Sequence, residues 1–424
     1  MDIWYVTLYE PLPIGGVGIR PMRSGLLADA LVNAGHSVEL WLPGYEHVHH
    51  THFRKESVAE KIRDRYYIQY IKGCGYGSDT SFRRFIHNRQ VAREFVRLAQ
   101  KRSKMPDLVI TQVPSLELAE AVVKLAKQKA IPVVVDICDL WPDVYRRLFS
   151  CYFRFLYKII FHSEIRRARR IFQSATAISA VSESFLAWGL EQAKRAGTSY
   201  DKVFHIGYPG ATFTEPAPEQ IKLLEDKYGF SKEKMIVFFA GTFCSSYDLE
   251  TVFSSAEILS QKKVLDVEII IAGGGGEENA IRKRIEGLDN VKFVGWLDSS
   301  ELQMFLSVST VGLAPYSADA LMSLPNKPFE YMAASLPILS SLKGELEQLI
   351  NDEGCGKCIA ASDPVALADA IIYLRNNPKV TYAMGMRGRK AFERSYESGK
   401  IYSGFADHLK EIGHGFRREK IKGN

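Results

Sequence analysis

The sequence predicts an α/β protein with two Rossmann-like domains, each a doubly wound parallel sheet, that face a central cleft. The chain has 424 residues, which is too long for one ordinary domain and sufficient for two. Apolar strands and amphipathic helices alternate from the N-terminus, which is typical of parallel sheets covered on both faces. The alternation restarts after residues 207–218, which contain three prolines and two glycines and are typical of a linker.

The first half opens with a strand–turn–helix–strand unit. An apolar strand at 3–9 precedes a glycine turn at 15–18 and a helix that ends at Gly35, and a strand at 38–42 completes the βαβ pattern. The apolar run 131–136 ends in a carboxylate, as expected of a buried parallel strand. The other elements predicted for this half are strands at 107–111, 176–181 and 203–206 and a helix at 115–130.

The second half repeats the pattern. The predicted strands are at 235–240, 267–272, 291–294, 310–314 and 337–339. The predicted helices are at 249–259, from 277, near 300, at 328–335 and at 364–375. The resulting domain boundaries are 1–206 for the N-terminal domain, 207–218 for the linker, 219–395 for the C-terminal domain and 396–424 for a closing helix with a basic tail.

Composition and charge limit the class of protein. Hydrophobic residues make up 46% and charged residues 25%, and no apolar run is long enough to cross a bilayer. Residues 1–11 lack a basic segment, so they favour a strand over a signal peptide, and we expect a cytoplasmic protein. Residues 1–206 carry 30 Lys and Arg against 20 Asp and Glu, whereas 207–424 carry 25 against 29. The basic first half suits a negatively charged partner.

The cysteines indicate no special chemistry. Of the six, Cys355 and Cys358 form a C-x-x-C motif, but a glycine-rich turn precedes it and no second such motif completes a zinc site. We interpret this pair as two reduced thiols at a turn.

The most informative segment is residues 325–338 (PNKPFEYMAASLPI). Pro328 suits the first turn of a helix, whose free N–H groups and partial positive charge can bind a diphosphate. Lys327 adds a full positive charge there, and Glu330, one turn later, can accept hydrogen bonds from a vicinal diol such as ribose. The same residues also fit a capped surface helix with a solvated lysine and glutamate, and this segment alone leaves both interpretations open.

This segment resembles the signature of retaining glycosyltransferase family 4, which has the GT-B fold, where a Glu-Tyr-Met-Ala-Ala-Gly-x-Pro-like stretch holds the donor nucleotide. The resemblance covers nearly the whole chain in the same order. Its further matches are the N-terminal glycine loop Gly15-Gly16 with Arg20, and the loops at 239–242, 272–275 and 291–296. Residues 139–142 (DLWP) and 325–327 (PNK) look like the subgroup that builds O-antigen and exopolysaccharide repeats.

The resemblance implies roles for individual residues. Glu330 would bind the ribose hydroxyls, Lys327 with the helix start would neutralise the donor diphosphate, and Asp139 would face the transferred sugar. These three are the implied catalytic residues. Gly295 and Trp296 would line the nucleobase side. The implied donor-binding set is Gly15, Gly16, Arg20, Gly241, Thr242, Gly274, Gly295, Trp296, Asn326, Lys327 and Glu330.

Four features depart from the family pattern. Met322 stands where many members have a second glutamate that contacts the sugar. Cys138 replaces a common histidine, and Ser335 replaces the usual glycine. Residues 242–247 lack the basic residue that is common after the first loop of the C-terminal domain. The departures affect the implied contacts with the donor sugar and part of the phosphate site.

Two clusters invite a metal interpretation. Asp136, Asp139 and Asp143 could hold Mg²⁺, but one ends a buried strand and the others lie in a turn, so they need not converge. The histidine-rich residues 46–52 (EHVHHTH) could bind zinc, but they also fit an exposed loop that touches an acceptor or solvent. Enzymes with the GT-B fold do without a metal, so the resemblance implies no metal and no cofactor.

Two basic stretches, 81–104 and 144–170, favour a membrane partner. Each carries eight Lys and Arg, and the second mixes them with aromatic and aliphatic residues. A basic helix with an apolar face is typical of segments that bind anionic lipid, at about 1 kcal/mol per basic residue near the surface. The apolar residues could equally be core and the arginines solvated. The aromatic residues are not spaced as a stacking platform, so nucleic acid is not favoured.

These observations lead to one functional hypothesis and two alternatives. The hypothesis is transfer of a sugar from a UDP- or GDP-sugar to a polyprenyl-diphosphate-linked or other glycan acceptor, in bacterial cell-surface polysaccharide synthesis at the inner face of the plasma membrane. This step rests on the resemblance and on the basic stretches. The alternatives are a nucleotide-sugar 2-epimerase on the same fold and a non-catalytic partner subunit, the latter supported only by Met322 and Cys138.

Overall fold

The computed structural model describes residues 1–10, 21–47, 50–78, 81–149, 153–210 and 216–422. The chain divides into two compact units, residues 1–205 with 399–424, and residues 206–398. Gly15, Gly16 and Arg20 of the predicted glycine loop lie outside the described residues. Among the helices that are described, none has both the length and the hydrophobicity needed to cross a bilayer.

The first unit is built on a large sheet. Its strands are β1 (Asp2–Val6), β2 (Ser37–Pro43), β3 (Tyr45–Glu46), β4 (Thr51–His52), β5 (Ala59–Arg63), β6 (Tyr66–Ile71), β7 (Leu108–Val113), β8 (Val133–Ile137), β9 (Ala177–Ala180) and β10 (Lys202–Val203). Its helices are α1 (Arg23–Asn33), α2 (Phe82–Gln100), α3 (Leu116–Gln128), α4 (Arg154–Ile160), α5 (His162–Ser174) and α6 (Glu183–Ala193), with a 3₁₀ helix at Asp143–Leu148.

Eight of these strands form one sheet in the order β10-β9-β8-β7-β1-β2-β6-β5. They pair in parallel except β5, which is antiparallel to β6. All five residues of β8 are buried, and four of them are Val or Ile, as expected at the centre of a parallel sheet covered on both faces. The predicted strand at 131–136 is therefore present, beginning two residues later and ending one residue later.

The second unit repeats the strand–helix alternation. Its elements are α7 (Pro218–Tyr228), β11 (Met235–Thr242), α8 (Leu249–Gln261), β12 (Val267–Gly274), α9 (Glu278–Arg284), β13 (Val291–Gly295), α10 (Ser299–Val308), β14 (Val311–Ala314), α11 (Asn326–Ala333), β15 (Ile338–Ser340), α12 (Glu345–Glu353), β16 (Gly356–Cys358), α13 (Pro364–Asn376) and α14 (Pro378–Ser395). The chain ends with α15 (Ser398–Lys422), most of which clusters with the first unit.

The six strands of the second unit form a parallel sheet in the order β13-β12-β11-β14-β15-β16. Strand β11 contributes side chains to the hydrophobic clusters on both faces of this sheet. Phe238 packs with Phe305 of α10 on one face, and Phe239 packs with Phe253 of α8 on the other. Burial on both faces explains why β11 is a continuous apolar run in the sequence. The prediction of an α/β protein with two Rossmann-like domains is confirmed.

Candidate functional site

Two glycine-rich strand ends meet at the carboxyl edge of the second sheet. β11 and β12 pair up to their last residues, with Gly241 opposite Gly273 and Thr242 opposite Gly274. A side chain at Gly273 would collide with the Gly241 carbonyl oxygen, and its φ of +137° is a conformation that only glycine adopts readily. Glycine is therefore required here, and it leaves backbone groups uncovered at the edge where ligands bind in parallel α/β sheets.

The Lys327 ammonium group lies against this edge. A side chain at Gly241 would collide with Lys327 Nζ, which places the ammonium over the Gly241 backbone. Nζ lies 4.7 Å from the ring centroid of Tyr247 and 5.3 Å from that of Phe239. Within the described residues, no carboxylate lies within 4.0 Å of this half-buried ammonium. A cation held by rings and lacking a carboxylate partner is suited to bind an anion.

Lys327 also belongs to the first turn of α11. The helix begins at Asn326 after the N-cap Pro325, so the predicted start at Pro328 was wrong by two residues. Proline is tolerated in the first turn because the N–H groups there have no intrahelical acceptor. No side chain caps this helix, so its first N–H groups and the positive end of its dipole remain available to a ligand.

Tyr331 fixes the orientation of α11. Its hydroxyl donates a hydrogen bond to the Leu313 carbonyl oxygen at 2.9 Å, and its ring fills the space beside Gly312, where any side chain would collide with it. Burial, and next the charge of the adjacent Glu330, raise the pKa of Tyr331 far above its ordinary value. Glu330 itself is half-buried one turn after Asn326. Lys327 and Glu330 are therefore held on a rigid helix rather than on a loop.

The remaining predicted donor residues lie along the same edge. A Cβ at Gly274 would lie 3.4 Å from Glu278 Oε2 and 3.9 Å from the Trp296 ring, so Gly274 and Trp296 are neighbours. Gly295 has a φ of +73°, and Trp296 is 65% exposed. Thr242 is also exposed. The structure thus brings together the second-unit residues of the predicted donor set.

The aspartates of the first unit do not converge. Asp136 is fully buried and accepts two hydrogen bonds from the Arg23 guanidinium, at 2.7 and 2.8 Å. Asp143 accepts from the Tyr157 hydroxyl at 2.7 Å and from the Trp188 indole N–H at 3.1 Å. Asp139 Oδ1 accepts from the next residue's backbone N–H at 2.8 Å. Throughout the described ranges, no group of three or more His, Cys, Asp or Glu is arranged to hold a metal ion.

The histidine-rich loop packs against tyrosines. His47 Nδ1 lies 2.6 Å from the Tyr76 hydroxyl, and His50 Nδ1 lies 3.1 Å from the Tyr45 hydroxyl. Sequence reasoning missed His87 of α2, whose ring contacts the same tyrosines at a tilted and an edge-on angle. Burial, and next the neighbouring histidines and arginine, lower the pKa of His87 to about 4, so it is neutral at pH 7. Residues 48 and 49 of the loop lie outside the described part.

The C-x-x-C thiols are reduced and poorly reactive. Burial raises the pKa of Cys355 to about 12 and that of Cys358 to about 11, so both are protonated at pH 7. Cys358 ends the short strand β16, whereas a redox motif would open a helix. Neither thiol has the lowered pKa that redox or metal chemistry uses.

The second basic stretch is not one helix. It is divided into a 3₁₀ helix, α4 and α5, with an extended residue at Phe149. Arg167 and Arg170 of α5 pair with Glu120. The flanking region around α4, in contrast, exposes large apolar side chains, namely Phe153 (55%), Phe155 (59%), Ile159 (66%) and Ile160 (61%). The apolar residues of this stretch are thus only partly core.

Part of the second unit matches a family of known proteins. Residues 234–377 match the family described as glycosyl transferases group 1. This match contains the whole candidate site, from Gly241 to Glu330. Over these residues the chain is similar to glycosyl transferases group 1. The predicted family resemblance is thereby confirmed.

Similar proteins were found both by sequence and by structure. EpsD of Bacillus subtilis, assigned as a glycosyltransferase, is 24% identical over 224 residues, which cover 50% of this chain and 57% of EpsD. The chain therefore spans little more than half of this curated relative.

Sucrose-phosphate synthase of Thermosynechococcus elongatus has a TM-score of 0.75 at 17% identity, over 98% of this chain and 99% of that one. HepE of Anabaena, solved in complex with UDP, has a TM-score of 0.67 at 14% identity, over 97% and 100%. At these identities, the structural likeness establishes the fold alone.

Proposed function

We propose that the chain is a retaining glycosyltransferase that uses a nucleoside-diphosphate sugar as donor. The observation that carries the proposal is Lys327, an ammonium without a carboxylate partner in the described chain, set beside Gly241 in the first turn of an uncapped helix. Such an arrangement suits two adjacent phosphates, because the ammonium and the helix N–H groups both donate to anionic oxygens.

The other residues along the sheet edge are assigned to parts of the donor according to their positions. We assign the diphosphate to Lys327, Asn326 and the first N–H groups of α11, and the ribose hydroxyls to Glu330. Gly241, Thr242 and Gly274 would present backbone groups to the nucleotide, and Gly295 with the exposed Trp296 would take the base. HepE, which shares the fold, was solved with UDP, and this supports a uridine donor. Asp139, Gly15, Gly16 and Arg20 stay predictions.

In the proposed reaction, the bond between sugar C1 and the phosphate oxygen breaks and a bond from C1 to the acceptor hydroxyl oxygen forms. The acceptor proton passes to the departing phosphate oxygen on the same face of the sugar, so the anomeric configuration is retained. The negative charge that develops on the leaving diphosphate is stabilised by Lys327 and by the α11 N–H groups. These groups supply the positive charge that a metal ion would otherwise supply, and the proposal includes no metal or cofactor.

We further propose a lipid-linked glycan acceptor at an anionic membrane surface. The exposed side chains Phe155, Ile159 and Ile160 share α4 with the exposed Lys158, and the exposed Arg166 follows in α5. Apolar side chains that insert below the headgroups, next to lysines and arginines that contact them, are the features of a peripheral membrane protein. This face supports a location at the inner leaflet and a role in surface polysaccharide synthesis.

Nucleotide binding tests the donor site. In calorimetry, wild-type protein is expected to bind either UDP or GDP clearly more tightly than the other. Glu330→Ala should weaken that binding about tenfold or more, because two hydrogen bonds from ribose to a carboxylate are lost. The matched control is Glu286→Ala, which removes an exposed carboxylate elsewhere in the second unit. If wild type binds neither nucleotide, the transferase proposal is wrong and a non-catalytic partner is favoured.

A further inference from the structure

Four side chains at the carboxyl edge of the first sheet form what we term the Arg84 platform, namely Tyr9, Arg84, Trp141 and Tyr145. Tyr9 follows β1, Arg84 lies in the first turn of α2, Trp141 follows β8, and Tyr145 lies in the 3₁₀ helix. All four are half-buried, so each retains exposed surface. They come from three regions of the chain, around residues 9, 84 and 141–145, which meet at the sheet edge where parallel α/β proteins bind ligands.

Arg84 is the centre of this platform. Its guanidinium carbon lies 5.4 Å from the Tyr9 ring centroid and 5.2 Å from the Trp141 ring centroid, and one of its N–H groups donates to the Tyr9 hydroxyl at 3.1 Å. Burial acts to lower the pKa of Arg84, but the interactions with Tyr9, Tyr76 and Tyr145 together outweigh it and the pKa is raised. The platform therefore carries a permanent positive charge between aromatic rings, a combination that recognises phosphate and the apolar face of a sugar.

The platform is continuous with the exposed apolar face of α4. Trp141 contacts Tyr145 with ring centroids 5.1 Å apart, and Tyr145 stacks on Phe161 at 4.7 Å and 16°. Phe161 in turn stacks on Tyr157 of α4 at 5.3 Å. Beyond these rings, α4 exposes Ile159 and Ile160. A row of rings thus leads from a cationic site to an uncovered apolar surface.

We propose that the Arg84 platform binds the phosphate-linked sugar of an isoprenoid diphosphate acceptor, with the hydrocarbon chain lying along Phe161 toward α4. The inference rests on the proposed transferase function, because it names where that acceptor is held. The ligand is an amphiphile because the site itself is amphiphilic, with one guanidinium at one end and aliphatic side chains at the other. A single-stranded nucleic acid would need cations along the whole row, whereas the row continues from Arg84 through aromatic rings to the exposed Ile159 and Ile160 beside Lys158.

The test uses farnesyl diphosphate as the probe for the full-length protein. Calorimetry is done with an excess of the nucleoside diphosphate that the second unit binds, so that Lys327 is occupied. Wild type is expected to bind farnesyl diphosphate at least about tenfold more tightly than pyrophosphate or farnesol alone. Arg84→Gln should weaken binding about tenfold, whereas Arg89→Gln, an exposed arginine on the same helix, should leave it unchanged.

A second variant separates the two ends of the site. Ile159→Ser/Ile160→Ser should weaken farnesyl diphosphate binding several-fold, leave pyrophosphate binding unchanged and reduce sedimentation with phosphatidylglycerol vesicles. Because Arg84 is half-buried, the unfolding midpoint of each variant is measured. If Arg84→Gln unfolds early, Arg84→Lys serves in its place, since it keeps the charge, loses the planar stacking and should bind the probe more weakly.

Three results would overturn the inference. One is the absence of farnesyl diphosphate binding to wild type that still binds its nucleotide, which leaves the transferase proposal intact. Another is equal weakening by Arg84→Gln and Arg89→Gln, which would indicate only general electrostatic attraction. The third is unchanged binding in Arg84→Gln or, where that variant unfolds, in Arg84→Lys. If wild type binds neither a nucleotide nor farnesyl diphosphate, the transferase proposal itself is wrong. The inference rests on that proposal and falls with it.

Discussion

Lys327→Met is expected to lower kcat/KM for the nucleotide-sugar donor by about 10²- to 10³-fold. Methionine keeps most of the side chain's length between the rings of Phe239 and Tyr247 but removes the charge that stabilises the leaving diphosphate. The measurement is the rate of nucleoside diphosphate release from the donor in the presence of acceptor. Donor binding should weaken less than turnover, because the charge on the leaving group grows in the transition state.

The matched control is Lys343→Met. Lys343 is an exposed lysine of the same unit, paired with Glu347 four residues later. Its loss should change turnover less than about twofold, since exposed ion pairs contribute about 0–1 kcal/mol. A rate for Lys327→Met within about threefold of wild type would show that Lys327 does not stabilise the leaving group, and the assignment of the diphosphate to α11 would be wrong.

Arg23→Met is expected to lower the free energy of unfolding of the first unit by about 3–5 kcal/mol. The substitution removes the main cationic partner of the Asp136 carboxylate, which stays fully buried. Removing one partner of a buried ion pair costs more stability than replacing both, because a buried charge is left unpaired. Arg23 also donates to the carbonyl oxygens of the adjacent residues Phe204 and His205, so the segment after β10 loses a donor as well. Urea denaturation followed by a probe in the first unit gives the value.

Two further variants test whether the loss of stability comes from the unpaired buried charge. Arg63→Met breaks the exposed pair with Asp29, where the side chains are 44% and 42% exposed, and should cost no more than about 1 kcal/mol. Arg23→Met/Asp136→Leu should recover much of the lost stability, because no buried charge then remains unpaired. If Arg23→Met loses as little stability as Arg63→Met, other groups or water must stabilise the Asp136 carboxylate. The pair would then not be a main determinant of the fold.

The alternation of strands and helices could be predicted because its signals are local. Residues 236–239 are apolar on both faces of β11, so the run itself indicates a buried parallel strand. Gly273 could be recognised as part of a ligand loop because a tight strand end at a sheet edge requires glycine. The pairing of Arg23 with Asp136 could not be predicted, since the two residues are 113 positions apart and nothing in either local pattern identifies the partner.

Local rules also explain the wrong boundaries. The residue before a proline is biased away from helix, so the sequence favours a start at Pro328, yet α11 begins two residues earlier. In residues 144–170, aromatic and basic residues are mixed throughout. The sequence pattern therefore does not indicate where the 3₁₀ helix, α4 and α5 begin and end.

Only part of the candidate site could be predicted from the sequence. Lys327 and Glu330 could be selected because a cation and a carboxylate at a helix start fit a diphosphate and a diol. Their placement over Gly241 depends on Tyr331, which holds α11 against β14 and has no motif of its own. The Arg84 platform was not predicted, because Tyr9, Arg84 and the pair Trp141 and Tyr145 come from three distant segments that meet only when the sheet forms.

A crystal structure of the protein with its preferred nucleotide, UDP or GDP, tests the central claim most directly. The expected result is a diphosphate with oxygens about 2.7–2.9 Å from Lys327 Nζ and within hydrogen-bond distance of the first N–H groups of α11, with the ribose on Glu330. A nucleotide bound away from Gly241 and α11, or bound there with its diphosphate turned away from Lys327, would contradict the account.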